Sequence, residues 1–275
     1  MRRRILRMQS TKMNLKLQHK TPYSDINDLL LFWAGGVYAG LGEKVIGVYL
    51  TGSLTYGDFV PKRSDVDLCV VVKPALSVAE LESIKRLHLE TEQRYPHWAK
   101  RVECSYLPID LIHEVLPPKT PRPWWGHGVF YAEAPYGNEW IINQYFLYTS
   151  GIALMGPEYR TLVSHVDLKE VQKASARDLF QEWEPKIHNS ESLDDGHLQS
   201  YVVLNLCRIL YTVVQGKAGS KKAAGAWVKA ACPQWKSLIE EADSWGHGAE
   251  MNRVEDVIAF IRFAVEKVNQ IDLLG

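Results

Sequence analysis

The sequence predicts an α+β fold in two parts: an α/β first half and an all-helical second half. Three observations predict it. Strand-like runs at VIGVYL (45–50), DLCVVV (67–72) and RVECSYLP (101–108) alternate with helical segments before residue 150. Beyond that point the strand signal fades and apolar residues recur at helical spacing. No internal repeat is visible, so solenoid and propeller architectures are excluded.

The elements follow in order. Asp25 to Tyr38, rich in Leu and aromatics, reads as a helix. Ser77 and Glu80 form a capping box, opening a long helix that runs to about Tyr95. Pro117, Pro118, Pro121 and Pro123 make a stiff, irregular stretch. Later segments near 166–185, 199–215, 221–231 and 250–269 read as helices. The last is the clearest, because Val254, Val257, Ile258, Ile261, Val265 and Val268 share one face. The expected division is a basic, disordered tail over 1–20, a first domain over 21–157 and a helical domain over 158–275. Ligands favour such domain interfaces.

Apolar residues form 46% of the chain and charged ones 23%, values that exclude disordered and collagen-like classes. The formal net charge is zero, which argues against a dedicated nucleic-acid binder. Arg2, Arg3, Arg4, Arg7, Lys12, Lys16 and Lys20 all lie in the first 20 residues, with no acid among them. The body that follows is therefore acidic and suits a small cationic partner. No run of 18 apolar residues exists, so no membrane span is expected. Cys69, Cys104, Cys207 and Cys232 are widely spaced, without a C-x-x-C, and fit free thiols in a reducing cytoplasm. A monomer is the expected state.

The chemistry concentrates in Gly52-Ser53 after one strand and Ser64-Asp65-Val66-Asp67-Leu68 at the start of the next. Strand alternation puts Asp65 and Asp67 on one side. Two adjacent carboxylates repel unless a cation sits between them, and a hard divalent ion such as Mg²⁺ suits that need. Gly52 permits close backbone approach, and Ser53 adds a hydroxyl for a phosphate. Glu103, charged in an otherwise half-apolar strand, either joins the metal cluster or takes a proton from an attacking hydroxyl. Its structural alternative is pairing with Lys100 or Arg101.

The second half adds cations. Tyr201, Asn205, Arg208 and Thr212 form a polar stripe on an apolar helix, and a buried Arg calls for an anion. Ser220 reads as an N-cap, which puts Lys221 in a first helical turn. That place is unfavourable for a cation unless an anion is near. Trp124-Trp125-Gly126-His127 reads either as a substrate lip or as packing, and Glu191, Asp194 and Asp195 as a substrate contact or a solvated face.

These motifs carry a resemblance. The pattern GS…SDVDL followed by a strand Glu resembles the nucleotidyltransferase superfamily with the DNA polymerase β-type fold. Residues 202–227, VVLNLCRILYTVVQGKAGSKKAAGAW, resemble the helical C-terminal domain of the AadA-type aminoglycoside 3''/9-adenylyltransferases. The resemblance implies a nucleotidyltransferase domain with a small mixed sheet, followed by the helical domain. It implies Mg²⁺ bound by Asp65 and Asp67 with Glu103 beside them, and Glu103 as the general base. Ser53 and Ser64 would touch the nucleotide phosphates, Arg208 and Lys221 would reach the triphosphate, and Trp245 would meet adenine, its alternative being a core residue.

The implied reaction is transfer of AMP from ATP to a hydroxyl of an aminoglycoside or aminocyclitol, releasing pyrophosphate. Streptomycin-modifying members carry a Trp after the proline-rich segment and an Asp before the Arg helix. Gly128 and Leu198 stand there instead, which favours a spectinomycin-like acceptor. Adenylylation of a protein or another small molecule is the enzymatic alternative, and an inactive nucleotide-binding scaffold the non-enzymatic one.

Overall fold

The structure, a computed structural model, describes residues 17–246 and 248–273. The first sixteen residues of the expected tail lie outside that range. From Leu17 onward the chain is anchored. The Gln18 backbone N–H donates to Leu154 O at 3.1 Å, and its side-chain amide to Gly156 O at 3.2 Å.

Helix α1 (Ser24–Leu41) leads into strand β1 (Val45–Thr51), then β2 (Val66–Val72), helix α2 (Val78–Arg94) and β3 (Val102–Pro108). These elements match the expected segments. The capping box forms as read: Ser77 accepts from the Glu80 backbone N–H, and the Glu80 carboxylate accepts from the Ser77 N–H. The chain continues through β4 (Arg122–Gly126), β5 (Val129–Ala134), α3 (Glu139–Ser150) and β6 (Ile152–Met155). It then forms α4 (Leu168–Asp178), α5 (Gly196–Val213), α6 (Lys221–Ala231), α7 (Lys236–Ser244) and α8 (Val254–Asn269).

The six strands form one mixed sheet in the order β5-β4-β3-β2-β1-β6. The β2–β3 pair is parallel, joined by the α2 crossover, and the other four pairs are antiparallel. Alternation gives β2 two apolar faces. Val66, Leu68, Val70 and Val72 pack with Trp33 and Val37 of α1 and Ile84 of α2. Cys69 and Val71 face the other way, against Ile141 and Leu147 of α3. Val171 and Ala174 of α4 complete that second face, so the helical half is bound directly to the sheet. A separate core gathers Val203, Cys207 and Leu210 of α5 with Val228 of α6, Ile239 of α7 and Phe260 of α8.

Three differences from the sequence reading have local causes. The expected helix over 166–185 leaves α-geometry at Asp178, passes through a π turn (Leu179–Trp183) and ends in a 3₁₀ turn (Glu184–Ile187). Pro185 lacks the N–H that a continuing helix needs, and the Trp183 indole N–H donates to Asp178 Oδ2 at 2.8 Å instead. The hairpin β4–β5 begins among the prolines, Pro123 lying within β4, and their irregular reading hid it. Strand β6 is four residues long, too short to show a period. Among the described residues, no helix is long and apolar enough to cross a membrane.

Candidate functional site

The end of β1 turns sharply at Gly52, where φ is +66°. A Cβ built there would lie 1.9 Å from Asp67 Oδ2. Glycine is thus required twice, for the positive φ and for the approach of the neighbouring carboxylate. Ser53, half-buried in the short 3₁₀ turn that follows, accepts the Asp58 N–H on its backbone oxygen at 3.1 Å. Val60, Arg63 and Ser64 close the rest of the loop. The Val60 carbonyl accepts the N–H groups of Arg63 and Ser64, and the Ser64 hydroxyl accepts the Val60 N–H at 2.9 Å.

Sheet register then sets the carboxylates. Asp67 stands opposite Thr51 on β1 and opposite Glu103 on β3. Asp65, just before β2, pairs with Arg101, whose Nε lies 3.7 Å from its Oδ1. Arg101 also donates to Ser64 O and lies over the Trp98 ring. Glu103 pairs with His127, Nε2 to Oε1 being 3.6 Å. The sequence offered Lys100 or Arg101 as Glu103's partner. Parallel register instead sets Arg101 beside Asp65, and the β4–β5 turn brings His127 over. That turn bends at two left-handed residues, His127 at φ +54° and Gly128 at φ +78°.

The three carboxylates are close enough to disturb one another. Burial first, then Glu103 and Asp65, push the Asp67 carboxyl well above its ordinary range. Burial and then Asp65 raise Glu103, while His127 and Lys221 oppose the rise. Two cations of the helical half are felt here: Lys221 and Arg208 both favour ionised Asp67. Lys221 is the first residue of α6, whose N-cap Ser220 accepts the Ala223 N–H at 3.1 Å. Its ammonium lies 4.4 Å from the centre of the Tyr201 ring. Burial, reinforced by Arg208, lowers it to about 8. Arg208 lies over Phe146 of α3, 5.4 Å from the ring centre. It shares a small cavity with Asp178, Asn205 and Thr212, so three of the four stripe residues face α3 and α4 together.

Trp245 belongs to the helical half. It caps the end of α7, is 9% exposed, and packs on His197 with ring centres 5.1 Å apart. Its indole N–H donates to Ala249 O at 2.9 Å. Asp195 serves α5 as N-cap, accepting the Leu198 N–H at 3.0 Å. Within Trp124-Trp125-Gly126-His127, Trp125 is core, stacked on His88, while Trp124 stacks on Tyr131. Two partnerships escaped the sequence reading, His127 with Glu103 and Arg101 with Asp65. Their signals were the G-H-G turn and a strand position level with Asp65.

Whether these residues fit a divalent cation is a question of donor chemistry. Carboxylate oxygens are hard ligands. Like charges raise Asp67, and a cation would relieve that strain. The missing Cβ of Gly52 leaves a cradle against the Asp67 oxygen. The donor types suit such an ion, with Asp65 and Asp67 as the pair that would hold it and Glu103 beside them. The side chains of Asp65 and Glu103 turn toward Arg101 and His127, and among the described residues no three His, Cys, Asp or Glu side chains form a ligating cluster.

Residues 40–120 match the nucleotidyltransferase domain, and residues 161–269 match the C-terminal domain of aminoglycoside adenylyltransferase. Among solved structures, the chain is similar to spectinomycin adenyltransferase AAD(9) from Enterococcus faecialis, solved with ATP and spectinomycin. That likeness has 19% identity and a TM-score of 0.67, over 88% of this chain and 98% of that one. No curated protein matches. The chain thus carries, in one polypeptide, a stretch similar to a nucleotidyltransferase domain followed by one similar to the C-terminal domain of aminoglycoside adenylyltransferase.

Proposed function

We propose that this enzyme transfers AMP from ATP to a hydroxyl of a small cationic aminocyclitol, releasing pyrophosphate. The observation that carries the reading is Asp67 standing opposite Glu103, with the charges of Arg208 and Lys221 felt at Asp67.

Glu103 is the base. Its carboxyl is raised by burial, so it holds a proton better than a solvated carboxylate does. His127, 3.6 Å from its Oε1, opposes part of that rise. Glu103 takes the proton of the acceptor hydroxyl, the oxygen bonds to the α-phosphorus, and the bond to the pyrophosphate oxygen breaks. Arg208 and Lys221 hold the triphosphate and offset the charge gathering on the leaving pyrophosphate. Gly52 and Ser53 bring backbone and hydroxyl donors to the phosphates, with Ser64 fixing the loop beside them. A Mg²⁺ ion held by Asp65 and Asp67 would supply charge neutralisation at the phosphate under attack. For Trp245, the reading is a wall of the adenine pocket rather than a free stacking ring.

The acceptor side is acidic. Burial raises the Tyr201 hydroxyl, Arg208 opposes the rise, and the charges of Asp178, Glu103 and Glu139 add to it; those three carboxylates suit an amine-bearing substrate. Gly128 and Leu198 favour spectinomycin over streptomycin. Gly128 is held at φ +78°, a conformation that disfavours the tryptophan of streptomycin-modifying members.

The test is product analysis. The protein is incubated with ATP, Mg²⁺ and either antibiotic, and mass spectrometry seeks the AMP ester. Modified spectinomycin and unmodified streptomycin are expected. If neither gains AMP and no pyrophosphate is released, the acceptor reading fails.

A further inference from the structure

Arg63 is the cation that neither the motif nor the family resemblance singled out. Its backbone is fixed in the loop two residues before Asp65, where its N–H donates to Val60 O at 3.0 Å. Its side chain crosses to the helical half, and Nη2 donates to Asp243 Oδ1 of α7 at 2.8 Å, across 180 residues of sequence. The side chain is only 24% exposed, so this is no solvated surface arginine.

From the loop beside Ser64 and Asp65, the guanidinium reaches the half of the chain that carries Arg208 and Lys221. Its charge opposes that of Lys221, whose ammonium is buried beside Tyr201. The charge of Arg63 is thus felt at Lys221, and those of Lys221 and Arg208 at Asp67, a chain of cations that favours a polyanion between them. The bond to Asp243 engages one of five guanidinium N–H donors, and a planar fork held at one end presents the rest in a fixed direction.

We propose that Arg63 is a third triphosphate-binding cation, and that Asp243 is the positioning residue that holds it across the cleft. The assignment rests on the proposed use of a nucleoside triphosphate. It makes α7 part of the nucleotide site through its carboxylate, and it joins the two halves at the point where ATP enters. Arg63 touches the phosphates; Asp243 acts through Arg63.

The experiment is calorimetry of the full chain with ATP and Mg²⁺, and with adenosine as the phosphate-free control. Arg63→Ala is expected to weaken ATP binding about 10- to 100-fold, as loss of a charged contact does, while adenosine binding stays within twofold. Arg63→Lys should recover part of the loss. Asp243→Ala should weaken ATP binding less than Arg63→Ala, and the double variant should be no worse than Arg63→Ala alone. Thermal melting without nucleotide separates a binding effect from a folding one. If Arg63→Ala proves unfolded, Arg63→Gln serves in its place. ATP binding unchanged in a folded Arg63 variant, or equal losses for ATP and adenosine, would overturn the assignment while leaving the proposed function standing. A wild-type chain that binds no ATP would overturn both.

Discussion

Gly52 and Asp67 are built around one another: the hydrogen that Gly52 carries in place of a side chain faces the Asp67 carboxylate, and a Cβ would fall 1.9 Å from Oδ2. Gly52→Ala must therefore displace Asp67 and also hold an L-residue at φ +66°. The strain is expected to cost about 1–3 kcal/mol of stability. The displaced carboxylate should lower turnover at least a hundredfold while spectinomycin binding changes little. Denaturant unfolding and single-turnover kinetics check the two parts. A variant that melts lower but transfers AMP at the normal rate would show that Asp67 does not need its present place.

Glu103→Gln keeps the shape of the proposed base and removes its proton affinity. ATP affinity should be kept within a few-fold, and kcat should fall by about 10²–10⁴, the usual contribution of a general base. Isothermal titration and a pyrophosphate-release assay read the two quantities. An equal loss in both would assign Glu103 to nucleotide or metal binding rather than to proton transfer.

In its proposed role at the triphosphate, Lys221 would set an alkaline limit to ATP binding. Burial and then Arg208 lower its ammonium to about 8, so it sheds its charge as pH rises through that value. ATP binding should weaken between pH 7.5 and 9.5. Lys221→Arg, charged throughout that range, should flatten the dependence. The folding linkage has the opposite sign. Lys221 is lowered from 10.5 in the unfolded chain, so its burial burdens the fold most below pH 8 and progressively less as pH rises toward 10.5. Identical pH profiles for Lys221→Arg and wild type would remove Lys221 from the phosphate site.

His88 is a purely structural pH element. It is 1% exposed, stacks on Trp125 with ring centres 4.7 Å apart, and Nε2 lies 2.8 Å from the Tyr106 hydroxyl. Burial lowers it from 6.5 to about 3. Between those values the unfolded chain takes up a proton that the folded chain refuses. Stability should therefore decline on acidification from pH 6.5 toward 3, by up to about 1.4 kcal/mol per pH unit from this group. His88→Gln cannot titrate, so its stability should fall less steeply with acid, as urea unfolding at stepped pH would show. Parallel slopes for the two proteins would contradict the origin assigned here.

Much of the site was legible because its parts are local. The turn at Gly52, the Asp65/Asp67 alternation and the Ser77–Glu80 capping box each lie within a few residues, where backbone geometry is set by neighbours in the chain. The Arg208 stripe was readable for the same reason, since helical period alone puts Asn205, Arg208 and Thr212 on one face. The β4–β5 hairpin stayed hidden behind its prolines, although Gly126-His127-Gly128 between aromatic residues is a turn signal. The helix α7 is nine residues long, too short for its period to stand out from the connections around it.

The sequence by itself determined which residue types could bind phosphate and move a proton, and on which kind of element each would sit. Only the tertiary structure decided their partners: Arg101 with Asp65, His127 with Glu103, and Arg63 with Asp243. The reason is physical. Periodicity and caps report forces between residues a few positions apart. An ion pair across 180 residues depends on strand register and on how α4 docks the helical half against the sheet, which no local pattern encodes.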